Sequence, residues 1–392
     1  MDVRAAPTDL SEHDSLTAEA PQVLSVHLRD FRSYERADLS LGEDLTVIFG
    51  PNGAGKTNLL EAVYFGCMGR SPRAANEREV VRFGAQAARV VAAVEAADGE
   101  HELAVGFVPG EPKRLVVDGA PVESLVDVDA RPRMIVFLPD RLELVKGPPA
   151  LRRAHLDQVV AALWPARVAT RRAYAQALAQ RNALLGRIRT REGSSELLQS
   201  WNLQLARHGI ALMADRGAAV DALAQDAAAL SGELGLGAEM KVAYRPRSKA
   251  GSEGELADEL AARTASDLER GFTGHGPHRD ELALLLDSRE LRVYGSQGQQ
   301  RLALLALLLA EREAIGRSRG ALPVLLLDDV MSELDQARRR SLVAGLQARG
   351  GQVVLTATEL EHVPLASGRS AQAFAVLPGG ELRAAEVALE RS

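Results

Sequence analysis

From residue 23 to about 148, short apolar runs alternate with polar positions at the two-residue period of a β-strand. Val23–Leu28, Leu45–Phe49, Arg89–Val94, Glu102–Phe107, Arg114–Val117 and Met134–Phe137 each read as strands, most of them bounded by Gly, Pro or Asp. The group at 89–119 has the spacing of hairpins and predicts an antiparallel layer beside a parallel core. From about 150 to 271 the period lengthens: Ala, Leu, Arg and Gln recur at helical spacing, with few β-branched residues outside Lys241–Tyr244. Helices of about 30 residues would span only roughly 45 Å, so this stretch predicts a compact helical insertion, not a long arm. Leu282–Leu286 returns to strand, and Arg301–Arg317 reads as a long helix. Val324–Leu327 is a continuous apolar run of the kind buried on both faces of a parallel sheet, and Phe374–Leu377 predicts a last strand before a Gly379–Gly380 turn. Residues 1–22, rich in Ala, Ser, Thr, Asp and Glu, predict a mobile extension ahead of the fold.

Chemistry enters at the ends of these runs. Gly50-Pro51-Asn52-Gly53-Ala54-Gly55-Lys56-Thr57, followed by Asn58, lies between the strand ending at Phe49 and a helix-like stretch through Met68. This is the phosphate-loop pattern in the context its mechanism requires: backbone N–H groups and the helix dipole converge on phosphate oxygens. Lys56 would reach the β/γ-phosphates and Thr57 would ligate Mg²⁺. Only 5 of the 47 basic residues are Lys, so a chance match is on the order of one in a few hundred. The apolar run ending at Leu327 leads into Asp328 and Asp329. Asp328 is the candidate Mg²⁺ ligand, and Asp329 the candidate catalytic residue that orients or deprotonates water. Ser296-Gln297-Gly298-Gln299 opens the long helix with a good N-cap residue, aiming the positive helix end at an anion. Ser332-Glu333-Leu334-Asp335 follows the acidic strand. Together these segments predict a split ATP site.

About 270 residues separate the phosphate loop from Asp328. One strand, helix and strand do not need so many, so a large insertion is required. The domain reading is therefore an extension at 1–22, the first half of an ATPase lobe at 23–148, a helical lobe at 149–270 and the second half of the ATPase lobe at 271–392. The fold class is α/β: a P-loop ATPase head with an antiparallel β layer and an inserted, mostly helical second lobe.

Composition adds bounds. At 392 residues and 46% hydrophobic content the chain can bury a sizeable core. No apolar run approaches the roughly 20 residues that span a bilayer, and no basic-then-apolar leader is visible; a cytoplasmic protein without a membrane partner is expected. The lone Cys67 has no internal disulfide partner and reads as a small buried apolar side chain. A net charge of −6 is not that of a DNA-coating protein. The Arg clusters at 152–153, 171–172 and 338–340 read as solvated helix faces, and DNA-contacting residues are not identified.

The constellation resembles the ABC-type ATPase heads of transporters, SMC proteins and recombination ATPases. That resemblance implies an ATP-sandwiched homodimer in which Ser296, Gln297, Gly298 and Gln299 act in trans, with Asp335 on the loop crossing the interface. Further segments narrow it. Leu28-Arg29-Asp30-Phe31-Arg32-Ser33-Tyr34, Phe137-Leu138-Pro139-Asp140 with Leu144-Val145-Lys146-Gly147, Arg152 to Asp157, and Gly276-Pro277-His278-Arg279-Asp280 are similar to the RecF family of bacterial recombination-mediator ATPases. The resemblance implies Arg32 near the nucleotide, duplex or gapped DNA as ligand, and RecO, RecR and RecA as partners. Asp329 stands where transporters carry Glu, and Thr358 where they carry a switch His. Slow, DNA-stimulated hydrolysis is expected, with ATP used as a switch. The alternative class is the ATPase subunit of a membrane transporter. An SMC-like linker needs longer arms than this length holds, and a fused nuclease needs more than the roughly 60 residues after Asp329.

Overall fold

The computed structural model describes residues 20–74, 76–190, 196–365 and 370–386; the extension expected at 1–22 lies outside these up to residue 19. Contacts divide the chain into two compact units, Met1–Arg141 with Ile315–Ser392, and Leu142–Ala314.

The first unit runs through β1 (Gln22–Phe31), β2 (Tyr34–Ser40), β3 (Leu45–Phe49), α1 (Lys56–Met68), β4 (Ala88–Ala96), β5 (Gly99–Phe107), β6 (Arg114–Val117), β7 (Ala120–Val122) and β8 (Met134–Phe137). The second holds α2 (Glu143–Lys146), α3 (Pro149–Leu163), α4 (Val168–Arg189), α5 (Leu197–Glu233), β9 (Met240–Arg245), α6 (Glu253–Ala262), α7 (Thr264–Arg270), β10 (Glu281–Leu286), β11 (Arg289–Glu290) and α8 (Leu291–Tyr294). Within α9 (Gln297–Arg319) the chain passes back to the first unit and adds β12 (Val324–Leu327), α10 (Gln336–Arg349), β13 (Val353–Ala357), β14 (Ala371–Val376) and β15 (Leu382–Ala385).

Two six-stranded sheets build the first unit. One is antiparallel, in the order β2-β1-β4-β5-β6-β7; the other, β15-β14-β3-β13-β12-β8, is parallel except for its edge strand β15. All six strands read from 23–148 are present, and the 89–119 group forms the expected antiparallel hairpins. β2 escapes the sequence reading because its outward positions carry charge: only Tyr34, Ala37 and Leu39 of its seven residues are buried. Helix α1 is buried on nearly every side. Its Leu59, Leu60, Val63 and Phe65 share one core with Val26, Val90 and Leu103 of the antiparallel sheet and Ile48, Leu326 and Val354 of the parallel one. Burying each large side chain is worth about 1.5–3 kcal/mol, so the two sheets grip the helix that starts at Lys56. Cys67 on the same helix is fully buried.

In the second unit, α4, α5 and α6 pack through Tyr174, Ala177, Leu205, Leu212, Leu256 and Leu260. Helix α5 has 37 residues, about 55 Å at the usual rise, somewhat longer than the helices expected there. Residues 271–314, read from sequence with the ATPase lobe, group with this unit. The reason is strand pairing: β10 joins β9 in antiparallel register, Glu281 opposite Arg245, instead of adding to the parallel sheet. Among the described residues no helix is long and apolar enough to cross a membrane.

Candidate nucleotide site

β3 and α1 fix the phosphate loop between them. Gly55 caps α1 in the left-handed region (φ 109°), and a Cβ there would lie 2.6 Å from the Tyr34 hydroxyl; any side chain would be both strained and blocked. Gly50 packs as closely, since its Cβ would meet the Val376 carbonyl at 2.4 Å. Around this loop Lys56 folds back, donating from Nζ to the carbonyls of Gly50 (2.8 Å) and Pro51 (3.0 Å). Burial lowers its pKa, while Asp329 and Asp328 oppose the shift. Its partners are thus neutral carbonyls, which leaves its charge available to an anion.

The acidic strand end meets the loop from across the sheet. Thr57 Oγ1 donates to Asp328, 2.9 Å from Oδ1 and 2.8 Å from Oδ2, and Thr356 Oγ1 donates to the same Oδ1 at 2.7 Å. Burial raises the Asp328 pKa first of all, and the two threonine hydroxyls pull it back down. Thr356 also accepts from the Asp329 backbone N–H at 2.9 Å. One side chain on β13 therefore fixes both acids, a role the sequence does not announce. Asp329 adopts φ 50°, and its Oδ1 accepts from the Ser332 hydroxyl.

Asn52, Gly53, Gly55, Lys56, Thr57, Asn58, Arg73, Pro139, Asp328 and Asp329 line a common cavity of about 310 Å³. A second hollow of about 430 Å³ borders Ser33, Pro51 to Ala54 and Pro378 to Gly380. Arg32, expected near the nucleotide, does not line either one. Its guanidinium makes a bidentate pair with the fully buried Glu61 (2.9 and 2.7 Å) and donates to the Glu79 carbonyl. A carboxylate without water demands such partners. Arg73, which sequence reading missed, holds the same Glu61 at 2.8 Å, bonds Asn58 Oδ1 and reaches the cavity. It follows α1 without a pattern of its own, so only the fold reveals it.

The SQGQ segment belongs to the second unit. Ser296 Oγ accepts from the Gln299 N–H (3.3 Å) while Gln299 Oε1 accepts from the Ser296 N–H (2.9 Å), a reciprocal cap on α9. Ser296, Gln297 and Gly298 are exposed. Behind them the buried Gln300 donates to the Leu291 and Gly295 carbonyls, both at 3.1 Å, anchoring the turn. Asp335 caps α10, accepting from the Arg338 N–H at 2.9 Å. Arg152, read as solvated, is 3% exposed and pairs with Glu281.

The family model described as RecF/RecN/SMC N terminal domain matches residues 22–374. The DNA replication and repair protein RecF of Myxococcus xanthus (strain DK1622) is 39% identical over 351 residues, covering 86% of this chain and 91% of its own. The chain belongs to the RecF family. RecF of Anaeromyxobacter sp. (strain Fw109-5) is 40% identical over 368 residues, covering 92% and 98%. Among solved structures, the recombination mediator RecF with ATP in the RecFOR pathway superposes with a TM-score of 0.80 at 28% identity, over 94% of this chain and 98% of that one. The RecF likeness spans both units, and the transporter alternative finds no support in it. The fold class is the ABC-type head read from sequence. A hydroxyl and a carboxylate facing one cavity are the oxygen donors that Mg²⁺ takes alongside water and phosphate, so Thr57 and Asp328 fit that ion.

Proposed function

We propose that this chain is an ATP-switched DNA-binding protein of recombinational repair. The observation that carries the reading is the meeting of Lys56, Thr57, Asp328 and Asp329 on one cavity in a chain of the RecF family. The RecF structure solved with ATP supports ATP as the ligand. In this reading the N–H groups of Asn52, Gly53, Gly55, Lys56 and Thr57 wrap the phosphates and Lys56 neutralises them, exchanging its two carbonyl partners for phosphate oxygens. Thr57 and Asp328 hold Mg²⁺, which supplies charge neutralisation on the phosphates. Asp329 orients water. Its short carboxylate is already engaged by Ser332, which favours slow turnover and a switch over a motor.

The exposed Ser296, Gln297 and Gly298 complete the site of a second copy, so ATP closes a homodimer around the nucleotide. DNA, duplex or gapped, is the ligand of the closed state. RecO, RecR and RecA are the partners at gaps and the compartment is the cytoplasm, on the strength of the family. Sedimentation with ATP tests the arrangement. Ser296→Arg is expected to bind ATP yet stay monomeric, and dimerisation equal to the parent's would sink the trans role. A turnover well above about 1 per second would sink the switch.

A further inference from the structure

The arginines of the second unit fall into two groups. Arg152, Arg181 and Arg216 are buried and consume the nearby carboxylates: Arg152 pairs with Glu281, Arg181 with Asp267, and Arg216 with Asp157 and Asp280. Asp280 is closed further by the Tyr244 hydroxyl and the Arg247 N–H. Around the same Gly276–Asp280 segment stand Arg153, Arg247, Arg270 and Arg279. None of these four has a carboxylate partner among the described residues.

Each is tied to that segment or its flank: the Arg247 N–H bonds Asp280, and Arg153 senses Arg279. Arg153 donates to the Asp280 carbonyl at 2.9 Å; burial first, then Arg216 and Arg279, hold its guanidinium below the usual arginine range, while Glu281 and Asp280 oppose the shift. Arg279 is exposed and sits 5.5 Å over the ring of Phe272, itself 40% exposed. Arg270, exposed on the last turn of α7 beside Glu269, lies against Gly274. Inside, then, the carboxylates are paired; outside, Arg247, Arg270 and Arg279 are exposed without a carboxylate pair among the described residues, on a chain whose net charge is −6.

We infer that this surface, Arg153, Arg247, Arg270 and Arg279 around Phe272, is a contact for nucleic-acid phosphates. Guanidinium groups bind phosphate bidentately, and an aromatic face under one of them pre-orients it at low entropy cost. An acidic protein surface would be met by point charges equally well and gives no reason for the exposed ring. The inference rests on the DNA-binding reading above and gives it a location.

The test uses the full chain with ATP and a fluorescein-labelled gapped duplex at several salt concentrations. Arg270→Gln/Arg279→Gln is expected to weaken binding about tenfold. It should also lower the slope of log affinity against log salt by about 1.8, or 0.9 per phosphate lost. Its melting temperature and its binding of labelled ATP should match the parent's. Arg279→Lys, which keeps the charge, should recover the salt slope. Parental affinity and slope in the double variant would overturn the inference while DNA binding stood, and would hand the patch to an acidic protein. A parent that binds no DNA with any nucleotide would overturn the DNA reading and this inference together.

Discussion

The phosphate loop and the GPHRD segment are both charged, glycine-containing signals, and the molecule uses them in opposite ways. At the loop, Lys56 rests on two carbonyls and Asp328 on two threonine hydroxyls, and both border an open cavity. Around GPHRD, Arg216 and Asp280 spend their donors and acceptors on one another, on Asp157, on Tyr244 and on backbone. A charged group held only by neutral partners beside a cavity can take a ligand without breaking the fold. One paired with a buried opposite charge is scaffold, because removing either member strands the other without water.

The contrast breaks most visibly under paired substitution. Arg216→Met leaves the buried Asp280 without its cation and Asp157 with only the exposed Arg171, and is expected to cost about 3–5 kcal/mol in denaturant unfolding, with ATP affinity unchanged. Lys56→Met should do the reverse, lowering ATP affinity at least about 100-fold, the loss of a charge-assisted contact worth about 3 kcal/mol, while the unfolding midpoint stays put. A shared loss of both properties in either variant would dissolve the distinction.

A pH series sharpens it next. His278 accepts from the Tyr174 hydroxyl on Nδ1 (2.8 Å) and donates to the Thr273 carbonyl from Nε2 (2.9 Å), the bonds of a neutral ring. Burial lowers its pKa from 6.5 to about 4. The unfolded chain therefore binds a proton between these values and the folded one does not. The contribution is fully present above about pH 6.5 and is lost as pH falls toward 4, about 3 kcal/mol in all. His278→Gln should flatten that part of a melting-temperature profile; an unchanged slope would remove His278 as its source.

The smallest expected effect is at Thr356. Thr356→Val deletes the hydroxyl that bonds both Asp328 and the Asp329 N–H, and should cost about 1–2 kcal/mol of Mg²⁺–ATP affinity, or roughly five- to thirtyfold. Affinity within twofold of the parent would show the acids to be held without it.

Much of this was legible along the chain because the signals are local. A strand's alternation, the glycines of a tight loop and the Ser296 cap are read from neighbours within a few residues. Leu45–Phe49 and Arg114–Val117 appear as strands at the residues expected. β2 was hidden by its charged outer positions, and the placement of β10 depended on a partner about 40 residues away. Arg32 shows the same limit at a side chain. Its place in a family pattern suggests the nucleotide, whereas the fold puts the buried Glu61 beside it, and that carboxylate takes its donors.

The sequence alone determined the two-sheet head, the insertion and the chemistry of a phosphate loop answered by two acids, since each is written in residues adjacent in the chain. Tertiary structure decided that Thr356 fixes both acids, that Arg73 reaches the cavity where Arg32 does not, and that some arginines are buried in ion pairs while neighbours such as Arg279 lie exposed. Those outcomes turn on which charges are stripped of water together, and desolvation is a property of the packed molecule, not of the order of its residues.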